Sequence, residues 1–324
     1  MIRAGSPRSR CLPEVGETVF RLGYTVIPMK FRLLFFAILA LEVSAAPVGS
    51  PSSSRVQVMS YNIKGLPEAV VGTEYKSRRY SVIGKLLAER GADVVLLQEG
   101  FSSNTRKLIE ASGFSHVARG PSESTFYGVS SGLYILSRYP ILAEDRMTFG
   151  SSNCQRWDCL SNKGAQFARI SIPELPLPLE VFNTHLQAGR DNPPARSRQV
   201  ALLVGFYKKN HVAGNPVIFG GDFNIRPLLD RETYDEFVLG TGLGSSGKYC
   251  LDHGCARLAD AGWAGVWEHT IDHQFYSLDG AVEITPVQVA RSLGDPVDGL
   301  RLSDHPTYEV IFELKVPRSS ARQH

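Results

Sequence analysis

Short apolar runs typical of β-strands recur along the chain, and several of them end abruptly in a polar or charged side chain. These runs lie at 56–63, 94–98, 132–137, 166–171, 179–185, 216–220, 271–276 and 308–314. Helical spacing of apolar residues between 80 and 91, and again at 196–210, predicts amphipathic helices between some of the strands. Interspersed strands and helices indicate an α/β layered fold.

The polar side chains at the strand ends form the candidate site. They are Asn62, Glu99, Asn183, His185, Asp222, Asn224, Asp272, Asp304 and His305. Taken singly, each has an ordinary structural explanation, such as a turn cap or a half-buried histidine. Taken together, they suit metal-assisted attack of water on a phosphorus ester. Hard oxygen ligands such as Glu99 and Asn62 favour Mg²⁺, and a histidine held by an aspartate can accept the proton of the attacking water.

In this order along the chain, the motifs resemble the endonuclease/exonuclease/phosphatase superfamily of metal-dependent phosphoesterases. The resemblance implies a four-layered α/β sandwich, with two facing mixed sheets flanked by helices. It also implies that Glu99 binds the divalent metal with help from Asn62, and that Asp304 supports the metal or the site. The implied cofactor is Mg²⁺, with Mn²⁺ or Co²⁺ as alternatives.

The same resemblance implies roles for the remaining residues of the set. Asp222 and Asn224 are expected to orient the water or the phosphate, and His185 to donate to the phosphoryl oxygens as charge develops. His305 is expected to act as the general base, oriented by Asp272.

The segment 158–164, Asp-Cys-Leu-Ser-Asn-Lys-Gly, and the run 184–188, Thr-His-Leu-Gln-Ala, are similar to the neutral sphingomyelinase branch. This similarity implies a switchable pair, Asp158 and Lys163, beside the active site, with Lys163 able to reach an anionic phosphate. A solvated lysine at a strand entry is the structural alternative. Asn183 joins these two as a candidate phosphate-binding residue.

The expected substrate is therefore sphingomyelin or a related phospholipid at a membrane surface, cleaved to phosphocholine and ceramide. Secreted bacterial members of that branch insert an aromatic-tipped hairpin into the bilayer, whereas 278–302 holds no Trp, Phe or Tyr and is interpreted as an ordinary loop. Membrane contact would come from elsewhere, with Phe126, Tyr127, Trp157, Trp263 and Trp267 as candidates that are each more easily explained as core residues. Gln274, where many relatives carry an apolar residue, has no assigned role.

Two other functions remain open. An exported deoxyribonuclease would use the same metal and histidines, with nucleic acid as its partner, and would be marked by a basic groove. A non-catalytic binding module would show a broken residue set, and the set is intact. No protein partner is implied by the sequence.

The N-terminal region carries the layout of a signal peptide at 29–46: a basic start, a short apolar core and small residues for cleavage. We expect 1–28 to be an upstream extension, 47–54 a short flexible tail, 55–316 the catalytic domain and 317–324 a C-terminal tail. The first 46 residues hold six Lys/Arg and three Asp/Glu, which leaves 29 of each sign from totals of 35 and 32. This balance argues against a polyanion-sequestering protein. The signal-peptide layout predicts a secreted enzyme, either extracellular or periplasmic.

Four cysteines follow the signal segment: Cys154, Cys159, Cys250 and Cys255. Two C-x4-C pairs in an exported chain favour two local disulfides, although four cysteines allow three connectivities. Zinc is the alternative ligand.

Overall fold

Thirteen strands and five α-helices make up the described part of a computed structural model, which covers residues 53–65, 73–122, 130–189, 192–257 and 267–317. The strands are β1 (Ser53–Asn62), β2 (Val94–Gln98), β3 (His116–Arg119), β4 (Tyr134–Ser137), β5 (Ile141–Thr148), β6 (Gly164–Ile170), β7 (Leu179–His185), β8 (Val217–Asp222), β9 (Leu243–Ser245), β10 (Ala256–Arg257), β11 (Asp272–Ser277), β12 (Glu283–Ser292) and β13 (Thr307–Lys315). The helices are α1 (Thr73–Glu89), α2 (Thr105–Ser112), α3 (Pro193–Asn210), α4 (Arg231–Thr241) and α5 (Ser246–His253).

Two mixed sheets face each other. The first has the order β10-β12-β13-β1-β2-β4-β3 and the second the order β5-β6-β7-β8-β11-β9. Parallel pairing aligns the carboxyl ends of β1 and β2 in the first sheet and of β7 and β8 in the second. Asn62 at the end of β1 contacts Asp222 at the end of β8, so both pairs end at the same edge of the sandwich. That edge is where the polar side chains follow the apolar runs.

Three apolar clusters account for the layers. Alternate residues of β1 and of β2 belong to two different clusters. Val58 and Leu96 face the second sheet, whereas Met59 and Leu97 face α1 and α2. A third cluster of aromatic residues, including Phe182 and Phe219, packs the second sheet against α3 and α4. Strands buried on both faces explain the continuous apolar runs. The structure thus confirms the predicted four-layered sandwich, in which helices cover the outer face of each sheet.

Two segments depart from the sequence expectations. Residues 278–302 were expected to form a loop, but they contain the ten-residue strand β12, which pairs antiparallel with β13. A register shift between Pro286 and Gln288 accommodates a proline that would otherwise break the ladder. The expected tail at 47–54 overlaps β1, because Ser53 and Ser54 pair with Lys315 and Leu314 of β13. This pairing is made by the backbone, so polar side chains do not prevent it.

Both local disulfides form, Cys154 with Cys159 and Cys250 with Cys255, so in this structure the four sulfur atoms are paired rather than arranged around zinc. Among the helices that the structure describes, none is long and apolar enough to span a membrane. The expected upstream extension, the signal peptide and nearly all of the C-terminal tail lie outside the described residues.

Candidate active site

The register of the strands places the predicted residues at one level. Asn62 pairs with Gln98 across β1 and β2, His185 with Asp222 across β7 and β8, and Asp222 in turn with Asp272 across β8 and β11. A Cβ at Gly221 would lie 2.2 Å from the Thr184 carbonyl oxygen, so only glycine permits this close approach just before Asp222.

Asn62 joins the two sheets at the centre of the site. Its Nδ2 donates to Glu99 Oε1 at 3.0 Å and to Asp222 Oδ2 at 3.0 Å, while its Oδ1 accepts from the backbone N–H of Lys64. Glu99 adopts a left-handed backbone with φ of 59°, which ends β2 sharply. A non-glycine residue held in this sparsely populated region is typical of a functional position.

Asp222 is the most deeply buried acid of the group. Its Oδ1 accepts from the backbone N–H of Asn224, whose own φ is 51° and whose Nδ2 donates to the Leu186 carbonyl oxygen. Burial, reinforced by the nearby charge of Asp272, raises the pKa of Asp222 to about 7. A carboxylate with a pKa raised in this way favours a nearby positive charge.

His305 lies next to two of these acids. Its Nδ1 is 2.9 Å from Asp272 Oδ2, and its Nε2 is 3.9 Å from Asp222 Oδ2. Burial lowers the pKa of His305, but the charges of Asp272, Asp222 and Asp304 outweigh burial and raise it to about 10. The Asp272 contact fixes the orientation of the imidazole ring, which leaves Nε2 directed at the site.

Asp304 is set apart from this cluster. Its half-exposed side chain forms an ion pair with Lys64 Nζ at 2.8 Å, and contacts with Lys64 and His305 lower its pKa against the effect of burial. Its partner Lys64 is the residue whose backbone N–H holds the Asn62 amide. Asp304 is thus linked to Asn62 only through Lys64, and among the described residues no contact joins its carboxylate to Glu99.

Lys163 and Asp158 do meet beside the site, at 2.8 Å. Lys163 Nζ also donates to the Leu186 carbonyl oxygen and lies 3.0 Å from His185 Nε2, so its three protons are all directed at acceptors. Burial, together with the positive charges of Lys163 and His305, holds the pKa of His185 well below its ordinary value. The neutral His185 accepts from Lys163 at Nε2, and its buried Nδ1 has no hydrogen-bond partner among the described residues.

Asn183 is fully buried between the sheets. Its Nδ2 donates to the carbonyl oxygens of Leu97 and Tyr134, and its Oδ1 accepts from Gln98 Nε2 at 2.8 Å. All of these partners belong to the first sheet, whereas Asn183 belongs to the second. The amide thus fixes the sheets to each other just below the site.

A cleft of about 350 Å³ opens beside His305. It is lined by Arg226, His269, Thr270, Ile271, Asp272, Arg291, Asp304, His305 and Pro306. Sequence reasoning did not single out Arg226, His269 or Arg291. Arg226 lies two residues after Asn224, so its position in the sequence could have placed it at the cleft. Arg291 lies in the segment that was expected to be a loop.

The donor set of the site fits a hard divalent cation. Glu99 and Asp222 approach the same Asn62 amide, and Asp272 Oδ1 is buried with no hydrogen-bond partner among the described residues. One ligand atom each from Asp222, Asp272 and His305 lies within 4.8 Å of the others. Carboxylate oxygens gathered in this way are the ligands that Mg²⁺ prefers, and a bound cation would offset their mutual repulsion.

Comparisons with known proteins point to one family. Residues 59–305 match the model of the Endonuclease/Exonuclease/phosphatase family. A "Sphingomyelinase" of Mycobacterium bovis is 27% identical over 286 residues, which is 83% of this chain and 55% of that protein. The "Inositol phosphosphingolipids phospholipase C" of Schizosaccharomyces pombe is 28% identical over 190 residues, which is 53% of this chain and 42% of that protein.

Solved structures share the fold. The beta toxin of Staphylococcus aureus superposes with a TM-score of 0.60 at 17% identity, covering 79% of this chain and 99% of that chain. A variant of the same toxin with bound magnesium ions gives a TM-score of 0.55 at 17% identity, covering 82% of this chain and 100% of that chain. This chain spans about half the length of the two curated relatives. With the family model covering most of its length, the chain belongs to the Endonuclease/Exonuclease/phosphatase family and, within it, resembles the sphingomyelinase-like branch.

Proposed function

We propose that this protein is an exported, divalent-metal-dependent phosphodiesterase that cleaves sphingomyelin or a related phospholipid to phosphocholine and ceramide. One observation carries the proposal. The acid and amide cluster of Glu99, Asn62 and Asp222 lies beside the His305–Asp272 pair, and this pair lines an open cleft. The relatives named as a sphingomyelinase and a phosphosphingolipid phospholipase C support the lipid class.

His305 is the general base of the proposed reaction. Its Nε2 accepts the proton of the attacking water as the water oxygen bonds to phosphorus and the phosphorus–oxygen bond to ceramide breaks, and the departing ceramide oxygen takes up a proton from solvent water. Asp272 holds Nδ1 at 2.9 Å, which fixes the proton on that nitrogen and stabilises the imidazolium that forms. Asp222 and Asn224 orient the water or the phosphate from the opposite sheet.

Glu99, with Asn62, would hold the cation. A bound divalent ion supplies Lewis-acid stabilisation of the charge that develops on the phosphoryl oxygens. Mg²⁺ is the proposed ion, because the ligands are hard oxygens and because a fold relative was crystallised with magnesium ions, with Mn²⁺ or Co²⁺ as substitutes.

Lys163 and His185 act as one unit in this proposal. Lys163 is held by Asp158 and contacts His185 Nε2, which lies 3.4 Å from Asp222 Oδ2, so its ammonium lies near the acid proposed to orient the water or the phosphate. A displacement of Lys163 from Asp158 would free one of its three protons for a phosphate oxygen. Asn183 acts by position, through the hydrogen bonds that align the sheets.

Export is part of the proposal. Both disulfides fit an oxidising compartment, either extracellular or periplasmic, and the segment 29–46 has the sequence of a signal peptide.

A second candidate is a secreted, metal-dependent deoxyribonuclease. It is favoured by Arg226 and Arg291, which line the cleft beside His305 and whose guanidinium groups make no hydrogen bond or ion pair with a residue that the structure describes. Such groups could hold phosphates flanking the one that is cut.

The test uses the purified chain beginning after Ala46, with sphingomyelin vesicles and plasmid DNA under identical conditions. Phosphocholine release and plasmid nicking are measured with Mg²⁺ and with a chelator. We expect Mg²⁺-dependent phosphocholine release and intact plasmid. Cut plasmid with intact vesicles would contradict the lipid substrate and show that the same catalytic residues act on nucleic acid.

A further inference from the structure

Two adjacent leucines stand exposed at the rim of the site. Leu228 is 51% exposed and Leu229 is 69% exposed, in the loop 226–230 that joins the catalytic end of β8 to α4. Scattered exposed leucines are common, but an exposed pair at one loop tip beside a catalytic cleft indicates a contact surface. Of the five aromatic candidates named from the sequence, the structure describes the side chain of Trp267 alone, which is half-buried and donates to Ser245 Oγ.

The loop that carries these leucines is closed by its own hydrogen bonds. The backbone N–H of Arg226 donates to Asp230 Oδ2 at 3.0 Å, and the backbone N–H of Asp230 donates to the Arg226 carbonyl oxygen at 2.9 Å. Arg196, which is almost fully buried, donates to Asp230 Oδ1 at 2.9 Å and anchors the loop to α3. The tip is therefore ordered before any contact is made, which lowers the entropy cost of insertion.

The loop also borders two cavities. Arg226, two residues before Leu228, lines the catalytic cleft together with Asp272 and His305. Leu228 itself borders a groove of about 510 Å³ whose walls include Tyr234 and Trp267. A surface that received the two leucines would therefore lie next to the catalytic cleft.

Three ion pairs neutralise most of the charges around the tip. Arg231 is paired with Asp235 at 3.4 Å and Lys248 with Asp252, while Asp230 is paired with Arg196. A surface that binds anionic lipids carries a cluster of about four to eight unpaired lysines and arginines. Arg226 and Arg291, which line the cleft, are too few to form such a cluster. An apolar tip among mostly paired charges matches a zwitterionic lipid surface, where insertion rather than charge supplies the binding energy.

We propose that Leu228 and Leu229 form a membrane-docking tip that inserts into a zwitterionic lipid layer and presents the catalytic cleft to its head groups. This inference rests on the proposed lipid substrate and adds how the enzyme reaches it.

The experiment measures binding to vesicles of phosphatidylcholine and sphingomyelin by sedimentation, with a chelator present so that no lipid is cleaved. Three proteins are compared: the wild type, the double variant L228S/L229S, and L239S. Leu239 is 82% exposed near the other end of α4 and serves as the matched control. We expect the double variant to partition at least about tenfold less than the other two. We also expect wild-type partitioning to change little between 0.1 and 0.5 M salt, concentrations chosen to screen surface charge.

Equal partitioning of all three proteins would overturn the proposal, and so would a steep loss of wild-type binding at high salt. Concentration-dependent dimerisation of the wild type that L228S/L229S abolishes, without vesicle binding, would assign the tip to a second copy of the chain instead.

A soluble phosphodiester, bis(p-nitrophenyl) phosphate, separates this proposal from the proposed function. We expect the ratio of turnover on vesicles to turnover on the soluble ester to fall in L228S/L229S and not in L239S. If the wild type bound vesicles through the leucines but released no phosphocholine, the docking tip would stand and the proposed lipid activity would fail. If all three proteins released phosphocholine with the same ratio of turnover on vesicles to turnover on the soluble ester, the docking tip would be wrong and the proposed lipid activity would stand.

Discussion

At the scale of single residues, the site is a set of buried acids balanced by few positive groups. Asp222 is held between Asn62 and two histidines, and its raised pKa records the cost of burying a carboxylate near Asp272. The sequence identified these residues because polar side chains rarely end buried strands without a reason. It could not assign Gln98 or Gln274, since a buried amide bridge depends on which strand of the other sheet lies opposite.

Replacing the base tests the role of His305. We expect H305A to lower kcat by about 10² to 10⁴ while the protein stays folded, because water would lose its proton acceptor. Turnover and circular dichroism are measured beside H116A, a histidine of strand β3 at the edge of the first sheet. Near-normal turnover in H305A would remove the histidine from the mechanism.

The pH profile tests the partner of that base. A general base works only when neutral, so the rate rises as pH passes the pKa of His305. The negative charge of Asp272 raises this pKa against the effect of burial, so in D272N the pKa falls. We expect the rising limb of kcat against pH to move to lower pH by about 1 to 3 pH units, with a lower plateau. A limb that stays in place would show that Asp272 does not set the pKa of the base.

At the scale of elements, two amide bridges hold the facing sheets in register. Gln98 of β2 bonds to Asn183 of β7, and Gln274 Nε2 of β11 donates to the carbonyl oxygens of Val58 and Tyr308 in the first sheet. The polar residue at 274 is thus explained by packing. Periodicity predicted the strands that are apolar on both faces, but it missed β12. The charges, nearby glycines and internal proline of β12 are not typical of a strand, and pairing with β13 stabilises it.

Removing one bridge tests its contribution to the fold. We expect Q274L to lower the free energy of unfolding by about 1 to 3 kcal/mol, because two carbonyl oxygens lose a buried donor. Urea denaturation measures this change. Q288L, at a half-buried position on β12, is the control and should stay within about 0.5 kcal/mol of the wild type. Equal stability of the two variants would show that the Gln274 bridge adds nothing.

At the scale of the whole molecule, the active site exists only when the two sheets are packed together. Asn62 ends a strand of the first sheet, Glu99 follows one and His305 lies two residues before one. His185 and Asp222 end strands of the second sheet. A cation held by Glu99 would therefore lie at the junction of both halves and stabilise the folded state as well as the transition state. All described residues belong to one compact unit, as this arrangement requires.

The most direct measurement is a Mg²⁺ titration of turnover for the wild type, E99Q and the control E144Q, on whichever substrate the vesicle and plasmid assay identifies. Glu144 is an exposed residue of β5 in the second sheet. We predict that E99Q raises the half-saturating Mg²⁺ concentration at least about tenfold, because a neutral amide replaces the anionic ligand, whereas E144Q follows the wild type. Superimposable curves for all three proteins would contradict a metal-dependent phosphodiesterase built around Glu99.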